Sequence, residues 1–273
     1  MANIKMKPLS NPPVFRKIAY GSWKSAGDPS VYGSLSIDMT QSLEFIQSQA
    51  AKNIKITPTH LVGKAVANAL TQIPELNAML RAGRVWLRDD VTLFYQVNIP
   101  GPAGYEIERA TLSGVTIEHA NQKDVSQIAS ELTKKSKAVR NGEDEVLEKN
   151  TALFKYLPWC LCRLYLNIAS WLIYGLNLDL TRFGLPKDPF GSVMITSVGG
   201  LGIDRGFAPL IPYTRVPLLV SVGKIDKRPW VIDDQVVVRP VLEIGVTFDH
   251  RIIDGVHAAK LAAILKSYLA NPS

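Results

Sequence analysis

Cysteine is nearly absent from this sequence of 273 residues, which contains Cys160 and Cys162 and no other thiol. Two cysteines one residue apart inside an apolar segment can build neither a disulfide framework nor a four-ligand zinc site, so both are predicted to be buried thiols. The opening residues, MANIKMKPLSNPP, lack the apolar run and the cleavage site of a secretory leader. An intracellular protein, in the cytoplasm, is therefore expected.

Several motifs that identify common enzyme classes are also missing. The sequence contains no G-x-S-x-G nucleophile elbow, no P-loop and no H-E-x-x-H zinc motif, and no metal site is predicted. The glycines of VGGLGIDRG are spaced one residue too widely for a dinucleotide fingerprint, so this run is predicted to form tight turns. His60, on a helical run, and His119, at a strand end, are predicted to be structural histidines.

Charge of one sign is not concentrated anywhere along the chain. Lys and Arg number 31 and Asp and Glu number 24, which gives a net charge of +7. Because these charges are spread along the sequence, they indicate no nucleic-acid partner. Hydrophobic residues at 47% and charged residues at 20% are typical of a folded globular protein.

The order of strand and helix patterns predicts an α+β fold around a mixed sheet. VYGSLSID alternates like a strand, and a helix follows it, capped by Asp38 or Thr40. Thr57-Pro58 begins a second helix, and the run from Lys123 to Gly142 forms a third. VWLRDDVTLFYQVN is predicted to be a hairpin, whereas Pro229-Trp230 and Asp233-Asp234 are predicted turns. The last helix is expected from Gly255 to Leu269.

One long apolar segment, residues 152–180, invites comparison with a membrane helix. Its length would suffice to span a bilayer, but five polar residues recur along it at steps of four, three, four and three and draw a narrow stripe. They are Arg163, Asn167, Ser170, Tyr174 and Asn177. The stripe favours a helix packed on protein. A helix on a lipid surface or against an acyl chain, and a transmembrane helix, remain alternatives.

The stretch TFDHRIIDG contains the strongest catalytic pattern in the chain. His250 ends a β-patterned strand, and Asp254-Gly255 follows after three residues, so an imidazole and a carboxylate lie on either side of one turn. Imidazole is the usual proton acceptor near neutral pH, and a nearby carboxylate can organise the loop or fix an arginine. Taken alone, the short pattern is also compatible with a structural histidine.

Six segments in order resemble the catalytic domain of the dihydrolipoamide acyltransferases of 2-oxo acid dehydrogenase complexes. They are PLSNPPVFRKIA, ITPTHLVGKAVANALTQIPELNAML, VTIEHANQKDVSQIASELTKKSKAVRNG, GSVMITSVGGLG, APLIPYTRVPLLVSVGKI and TFDHRIIDGVHAAKLAAILKSYLANP. The resemblance implies a fold similar to chloramphenicol acetyltransferase. It covers nearly the whole chain except about residues 143–190, an apolar helical insertion within one acyltransferase domain, 1–273.

The resemblance also implies a direct acyl transfer without a covalent enzyme intermediate. His250 would take the proton of a thiol, and Thr196 or its neighbour Ser197 would donate a hydroxyl to the oxyanion. Strand alternation puts these two hydroxyls on opposite faces, so one of them is expected to serve. Asp254 would steady the histidine loop through an arginine, for which Arg16 is the candidate.

Substrates and partners follow from the same resemblance. The acyl donor is expected to be an acyl-CoA or lipoyl thioester, and the acceptor a thiol, hydroxyl or amine. The chain is expected to carry no lipoyl domain of its own and to form a homotrimer with the active site between subunits. The insertion could meet an acyl chain or a membrane surface through residues 152–180, or thicken the trimer interface. The alternative function is a non-catalytic acyl-CoA-binding or scaffold protein.

Overall fold

A computed structural model describes residues 3–10, 13–14, 28–99, 111–141, 158–183 and 187–272. Nine strands lie in these ranges: β1 Met6–Pro8, β2 Ser30–Asp38, β3 Ala78–Arg81, β4 Arg84–Arg88, β5 Leu93–Ile99, β6 Thr111–Ile117, β7 Val193–Ser197, β8 Leu218–Ile232 and β9 Gln235–Asp249. Five α-helices accompany them: α1 Thr40–Ala50, α2 Pro58–Gln72, α3 Val125–Arg140, α4 Trp159–Ser170 and α5 Gly255–Ala270.

Six of the strands form one mixed sheet in the order β2-β9-β8-β7-β5-β6. Strand β7 runs parallel to both of its neighbours, β5 and β8, and the other pairs are antiparallel. The predicted α+β fold around a mixed sheet is therefore confirmed. Asp233 and Asp234 both have positive φ angles, as a two-residue hairpin turn between β8 and β9 requires.

One face of this sheet packs against helices and forms the main core. Ile195, Val220 and Ile244 are fully buried on that face, together with Leu61 and Leu265 from α2 and α5. The opposite face is covered by a smaller cluster around Met194 and Leu219, which the segment after β7 helps to close. Each face of β7 is therefore packed, and the hydroxyl residues at its end lie where packing stops.

The remaining strands form a three-stranded sheet, β1-β4-β3. Helix α4 continues into one π-helical turn, Trp171–Gly175, in which the Leu176 amide donates to the Trp171 carbonyl. Ile173 and Tyr174 of this turn are buried against Met79 of the small sheet. The segment 158–183 thus covers the outer face of that sheet.

Three local predictions were wrong. VWLRDDVTLFYQVN is not a hairpin, because its halves β4 and β5 belong to different sheets and pair elsewhere. Pro229-Trp230 is not a turn but part of β8. Among the described residues, β7 pairs with β8 as far as Val222 and β2 pairs with β9 as far as Val241, so Pro229 lies beyond both flanking strands. Cys160 is exposed and Cys162 half-buried, so neither is the buried thiol that was predicted.

Candidate active site

His250 occupies the turn between β9 and α5, where backbone contacts hold it on both sides. Its amide donates to the carbonyl of Pro29 (2.9 Å), and its Nδ1 lies 2.9 Å from the carbonyl oxygen of Ile253. A carbonyl oxygen can only accept a hydrogen bond, so Nδ1 carries the ring proton. The lone pair of neutral His250 is therefore on Nε2, which makes this nitrogen the one suited to accept a proton.

The turn around His250 is stabilised by an ion pair between Asp249 and Arg251, which was not predicted from the sequence. Arg251 donates from Nη2 and Nε to Asp249 at 2.7 and 3.0 Å, and its amide donates to the same carboxylate at 3.0 Å. Asp249 is buried and Arg251 half-buried. The sequence signal for this ion pair is the two opposite charges on either side of His250. Their hydrogen bonds fix the backbone on both sides of the histidine.

Asp254 caps helix α5 and lies one turn beyond the histidine. Its Oδ1 accepts hydrogen bonds from the amides of Val256 (3.0 Å) and His257 (3.1 Å), and the Nδ1 of His257 lies 2.5 Å from the same oxygen. These contacts attach the loop to the start of the helix. Arg16, the expected partner of Asp254, lies outside the described residues, so that pairing stays a prediction.

Thr196 and Ser197 end strand β7, with Thr196 half-buried and Ser197 exposed. Ser197 lines the same cleft as Ile195, whereas Thr196 is paired beside Ser221 of β8. Because side chains alternate along a strand, Thr196 points to the face opposite that cleft.

Thr196 and His250 are far apart within one chain. Thr196 pairs with Ser221, and Ser221 pairs with Gly245 on β9. His250 lies five residues beyond Gly245, which is about 17 Å along the strand direction at 3.3 to 3.4 Å per residue. Two strand spacings add about 10 Å across the sheet. One chain therefore supplies the base and the hydroxyl to two separate places, not to one reacting atom.

A cleft of about 490 Å³ lies beside Ser197, between the ends of β5 and β7, the start of α2 and the end of α3. Its cations are Lys55, Lys137 and Arg140, and its hydroxyl groups belong to Thr57, Thr59, Tyr95, Thr133, Ser136 and Ser197. The first turn of α2 directs the positive end of the helix dipole toward the same space. The arrangement suits a ligand that carries negative charge and hydrogen-bond acceptors.

Two buried polar side chains reach this cleft. Burial lowers the pKa of His60 to about 4, so the ring is neutral near pH 7. Its Nδ1 accepts from the amide of Thr57 (3.1 Å), which leaves the proton on Nε2. The hydroxyl of Tyr95 is buried and finds no hydrogen-bond partner among the described residues, and burial raises its pKa. His60, predicted to be purely structural, thus also lines a possible ligand site.

The loop after Thr196 is held over the sheet by a buried carboxylate. Glu243 accepts from Ser36 (2.6 Å), from Nη2 of Arg205 (2.7 Å) and from Nη1 of Arg228 (2.9 Å). Burial alone would raise the pKa of Glu243, but the hydrogen bonds and the two guanidinium groups outweigh it and keep the pKa below its usual value. Arg205 belongs to the loop, so this ion pair helps to fix the end of β7.

Two solved structures share the fold of this chain. A probable dihydrolipoamide acetyltransferase from Listeria monocytogenes aligns with a TM-score of 0.65 and 20% identity, over 98% of this chain and 95% of that one. A dihydrolipoamide acetyltransferase of Azotobacter vinelandii aligns with a TM-score of 0.64 and 22% identity, over 96% and 92%. The fold is that of these acyltransferase cores.

The family is identified by sequence. A model described as "2-oxoacid dehydrogenases acyltransferase (catalytic domain)" matches residues 16–152 and 189–273, and the chain belongs to this family. Its residues 153–188 fall between the two matched segments, in the region of the predicted insertion.

Curated relatives are longer proteins. The "dihydrolipoyllysine-residue acetyltransferase component of pyruvate dehydrogenase complex" is 24% identical in Acholeplasma laidlawii and 26% identical in Bacillus subtilis. The matches cover 82% and 84% of this chain but 32% and 41% of those proteins. The chain thus spans less than half the length of the curated relatives it matches.

Proposed function

We propose that this chain is an acyltransferase that moves an acyl group between coenzyme A and a thiol, hydroxyl or amine acceptor. The observation that carries the proposal is the hydrogen bond between Nδ1 of His250 and the Ile253 carbonyl, because it leaves Nε2 as the proton acceptor. The name of the relatives, dihydrolipoyllysine-residue acetyltransferase, supports the reaction class and a dihydrolipoyl thiol as one acceptor.

In the forward step, Nε2 of His250 removes the proton of the acceptor thiol, and the thiolate attacks the carbonyl carbon of the acyl-CoA. A tetrahedral oxyanion forms and accepts a hydrogen bond from the Thr196 hydroxyl, a type of contact that lowers the activation free energy by about 3 to 4 kcal/mol. The carbon–sulfur bond to coenzyme A then breaks, and the leaving thiolate takes the proton back from the imidazolium. Ser197 is the alternative hydroxyl.

The two chemical groups meet in this proposal between subunits. Thr196 and His250 lie too far apart to act together within one chain, so the base of one subunit would act with Thr196 of the partner subunit. A closed homotrimer would form three such sites, as the family resemblance implies. In this arrangement each chain contributes its His250 to one active site and its Thr196 to another.

In the alternative in which Ser197 supplies the hydroxyl, the cleft beside Ser197 is the proposed site of coenzyme A, because Thr196 points to the opposite face of β7. Its three cations, Lys55, Lys137 and Arg140, suit the phosphates of the nucleotide. The site residues Asp254 and Arg16 are proposed to hold the His250 loop, with Asp254 capping α5.

The test is thiol release from acyl-CoAs of increasing chain length, with dihydrolipoamide as acceptor. Wild type should release free coenzyme A, and His250→Ala should reduce the rate by about two to four orders of magnitude, the usual contribution of a general base. His119→Asn, a change at an exposed histidine that takes no part in the proposed site, serves as the matched control and should retain most activity. Equal rates for wild type and His250→Ala would contradict the proposal.

A second candidate is an acyl-CoA-binding or scaffold protein of the same fold. The cationic cleft favours binding in either case. Binding of coenzyme A in a calorimetric titration, with no His250-dependent turnover for any acyl length or acceptor, would favour this candidate over the enzyme.

A further inference from the structure

Helix α4 and its π-helical turn are attached to the protein through polar contacts. Arg215 donates from Nε to Ser170 Oγ (3.3 Å), and Arg81 donates from Nε to the carbonyl of Gly175 (2.9 Å). Asn177 makes two hydrogen bonds of 2.7 Å with the backbone of Ile4. Ser170 and Asn177 are buried. The C-terminal part of the polar stripe, which includes Ser170 and Asn177, therefore faces the protein, and these contacts fix the orientation of the segment.

The outward side of the same helix is apolar. Leu161, Leu164, Ile168 and Trp171 are each 43 to 56% exposed, at steps of three, four and three residues, so they form one continuous stripe. Leu176 and Leu178 extend the exposed apolar surface beyond the helix. We call these six residues the α4 ridge. An apolar surface of this size on a folded chain marks a contact site.

The charges around the α4 ridge favour one kind of partner. Arg163 is exposed on α4, and Arg182 and Lys187, which follow the ridge along the chain, are exposed as well. The acidic residues in the described part of 158–188 are Asp179, which accepts hydrogen bonds from Thr181, and Asp188, which is paired with Arg88. A row of leucine, isoleucine and tryptophan bordered by cations complements an anionic phospholipid surface.

A second α4 ridge is a poorer occupant. Two α4 ridges placed against each other by a two-fold axis would bring identical cations together, and repulsion would oppose the contact. In the proposed homotrimer the ridge would instead face a different surface of the neighbouring subunit, and the oligomeric mass of the ridge variant tests that contact. Crossing a bilayer is a different matter, and no helix within the described ranges is both long and apolar enough for that. The end of α4 is also held to the protein, through the hydrogen bond between Ser170 and Arg215.

We infer that the α4 ridge binds the surface of anionic phospholipid membranes, with α4 lying parallel to the membrane plane. Leucine, isoleucine and tryptophan side chains enter the boundary between headgroups and acyl chains, and Arg163 extends its guanidinium toward lipid phosphates. This binding does not depend on the proposed acyltransferase activity.

The test is sedimentation of the full-length chain with vesicles. Phosphatidylcholine vesicles containing about one third phosphatidylglycerol should retain the protein, and pure phosphatidylcholine vesicles should retain less. Salt at about 0.5 M should weaken binding to the anionic vesicles, because it screens the electrostatic part. Leu164→Glu/Ile168→Glu should lower the vesicle-bound fraction by about tenfold or more, since it places two carboxylates on the ridge.

The matched control is Val236→Glu/Val238→Glu. Val236 is 72% exposed and Val238 is 70% exposed on the β8–β9 hairpin, far along the chain from the ridge. The change in net charge is the same as in the ridge variant. This variant should bind vesicles nearly as wild type does. Circular dichroism and the elution volume on a sizing column should be unchanged in both variants.

Three results would overturn the inference. Wild type could stay in the supernatant with anionic vesicles at low salt, or the control variant could lose binding as fully as the ridge variant. Alternatively, the ridge variant could change the oligomeric mass while wild type binds no vesicles, which would assign the ridge to contacts between copies of this chain. Retained acyltransferase activity with soluble substrates in the ridge variant separates this test from that of the proposed function.

Discussion

His60 is the residue whose protonation should make stability most dependent on pH. Its folded pKa of about 4 lies below the unfolded value of 6.5, so the unfolded chain binds more protons between these values. Stability should therefore fall by about 2 kcal/mol between pH 7 and pH 5 through this residue alone. Urea denaturation of wild type and His60→Gln should reveal the difference, because Gln can keep the capping hydrogen bond to Thr57.

The contradicting outcome is simple to recognise. If His60→Gln and wild type lose the same stability between pH 7 and pH 5, the ring of His60 is not held neutral by burial. Thermal unfolding at the same two pH values provides an independent measurement.

Gly63 should tolerate no side chain, because α2 lies directly against Tyr95. A Cβ at position 63 would lie 1.7 Å from the tyrosine hydroxyl and 2.9 Å from Cζ. We expect Gly63→Ala to lower the free energy of unfolding by about 1 to 3 kcal/mol, the usual cost of overpacking. Tyr95→Phe alone should cost little, since its hydroxyl has no partner among the described residues.

The double variant Gly63→Ala/Tyr95→Phe is the control for this explanation. It should recover part of the stability lost in Gly63→Ala, as measured by urea denaturation, because the closest contact is removed. If the two changes simply add, the clash with the hydroxyl is not the cause.

At the scale of elements, the loop after β7 depends on the ion pairs of Glu243. Gly223, at the β-bulge of strand β8, also permits this packing, since a Cβ there would lie 1.8 Å from the carbonyl oxygen of Asp204. Loop, β8 and β9 are therefore fixed together. Thr196 lies near the end of β7, directly before this loop.

We expect Glu243→Gln to lower stability by about 2 kcal/mol at pH 7, because two arginines lose a charged partner. The pKa of Glu243 is depressed, so its contribution is present above the usual value of 4.5 and is lost as the pH falls through the folded pKa. The difference between wild type and variant should shrink at about pH 3.5. Urea denaturation at both pH values is the measurement, and an unchanged difference would contradict this account.

Local patterns predicted most elements, and tertiary pairing explains the failures. Strand alternation and helix capping located β2 and α2, because those signals are contained in neighbouring residues. The hairpin prediction at Asp89-Asp90 failed because periodicity reveals a strand but not its partner. The polar stripe on 152–180 could be recognised from the sequence. That its C-terminal part faces the protein could not be predicted, since this depends on Arg81 and Arg215 from distant elements.

The candidate site was predicted unevenly for a similar reason. His250 and Asp254 are close in sequence, so their loop could be inferred from the motif. The separation between Thr196 and His250 depends on strand register, which only the assembled sheet reveals. The cleft beside Ser197 combines residues from β5, β7, α2 and α3. Because these elements are distant in sequence, no local pattern predicts the cleft.

At the scale of the whole molecule, the separation of Thr196 and His250 predicts complementation between inactive variants. His250→Ala and Thr196→Val should each be nearly inactive alone. When unfolded together in equal amounts and refolded, they should regain activity, because about one quarter of the subunit contacts would pair an intact His250 with an intact Thr196. The rate of thiol release measures the recovery.

The control for mixing is the double variant His250→Ala/Thr196→Val, refolded with either single variant, which should stay inactive. Mass measurement must establish that mixed oligomers form. Mixed oligomers without recovered activity would indicate that each chain acts alone, and the proposed site between subunits would be wrong.

Arg215 connects the segment 158–183 to the strand end that carries His250. It bonds both Ser170 and the carbonyl of Leu80, and two residues later the carbonyl of Pro217 accepts the amide of Asp249. In evolutionary terms, the two sides of α4 should drift at different rates. Substitutions at Ser170 should arise together with changes at Arg215, whereas Leu164 should exchange freely with other apolar residues.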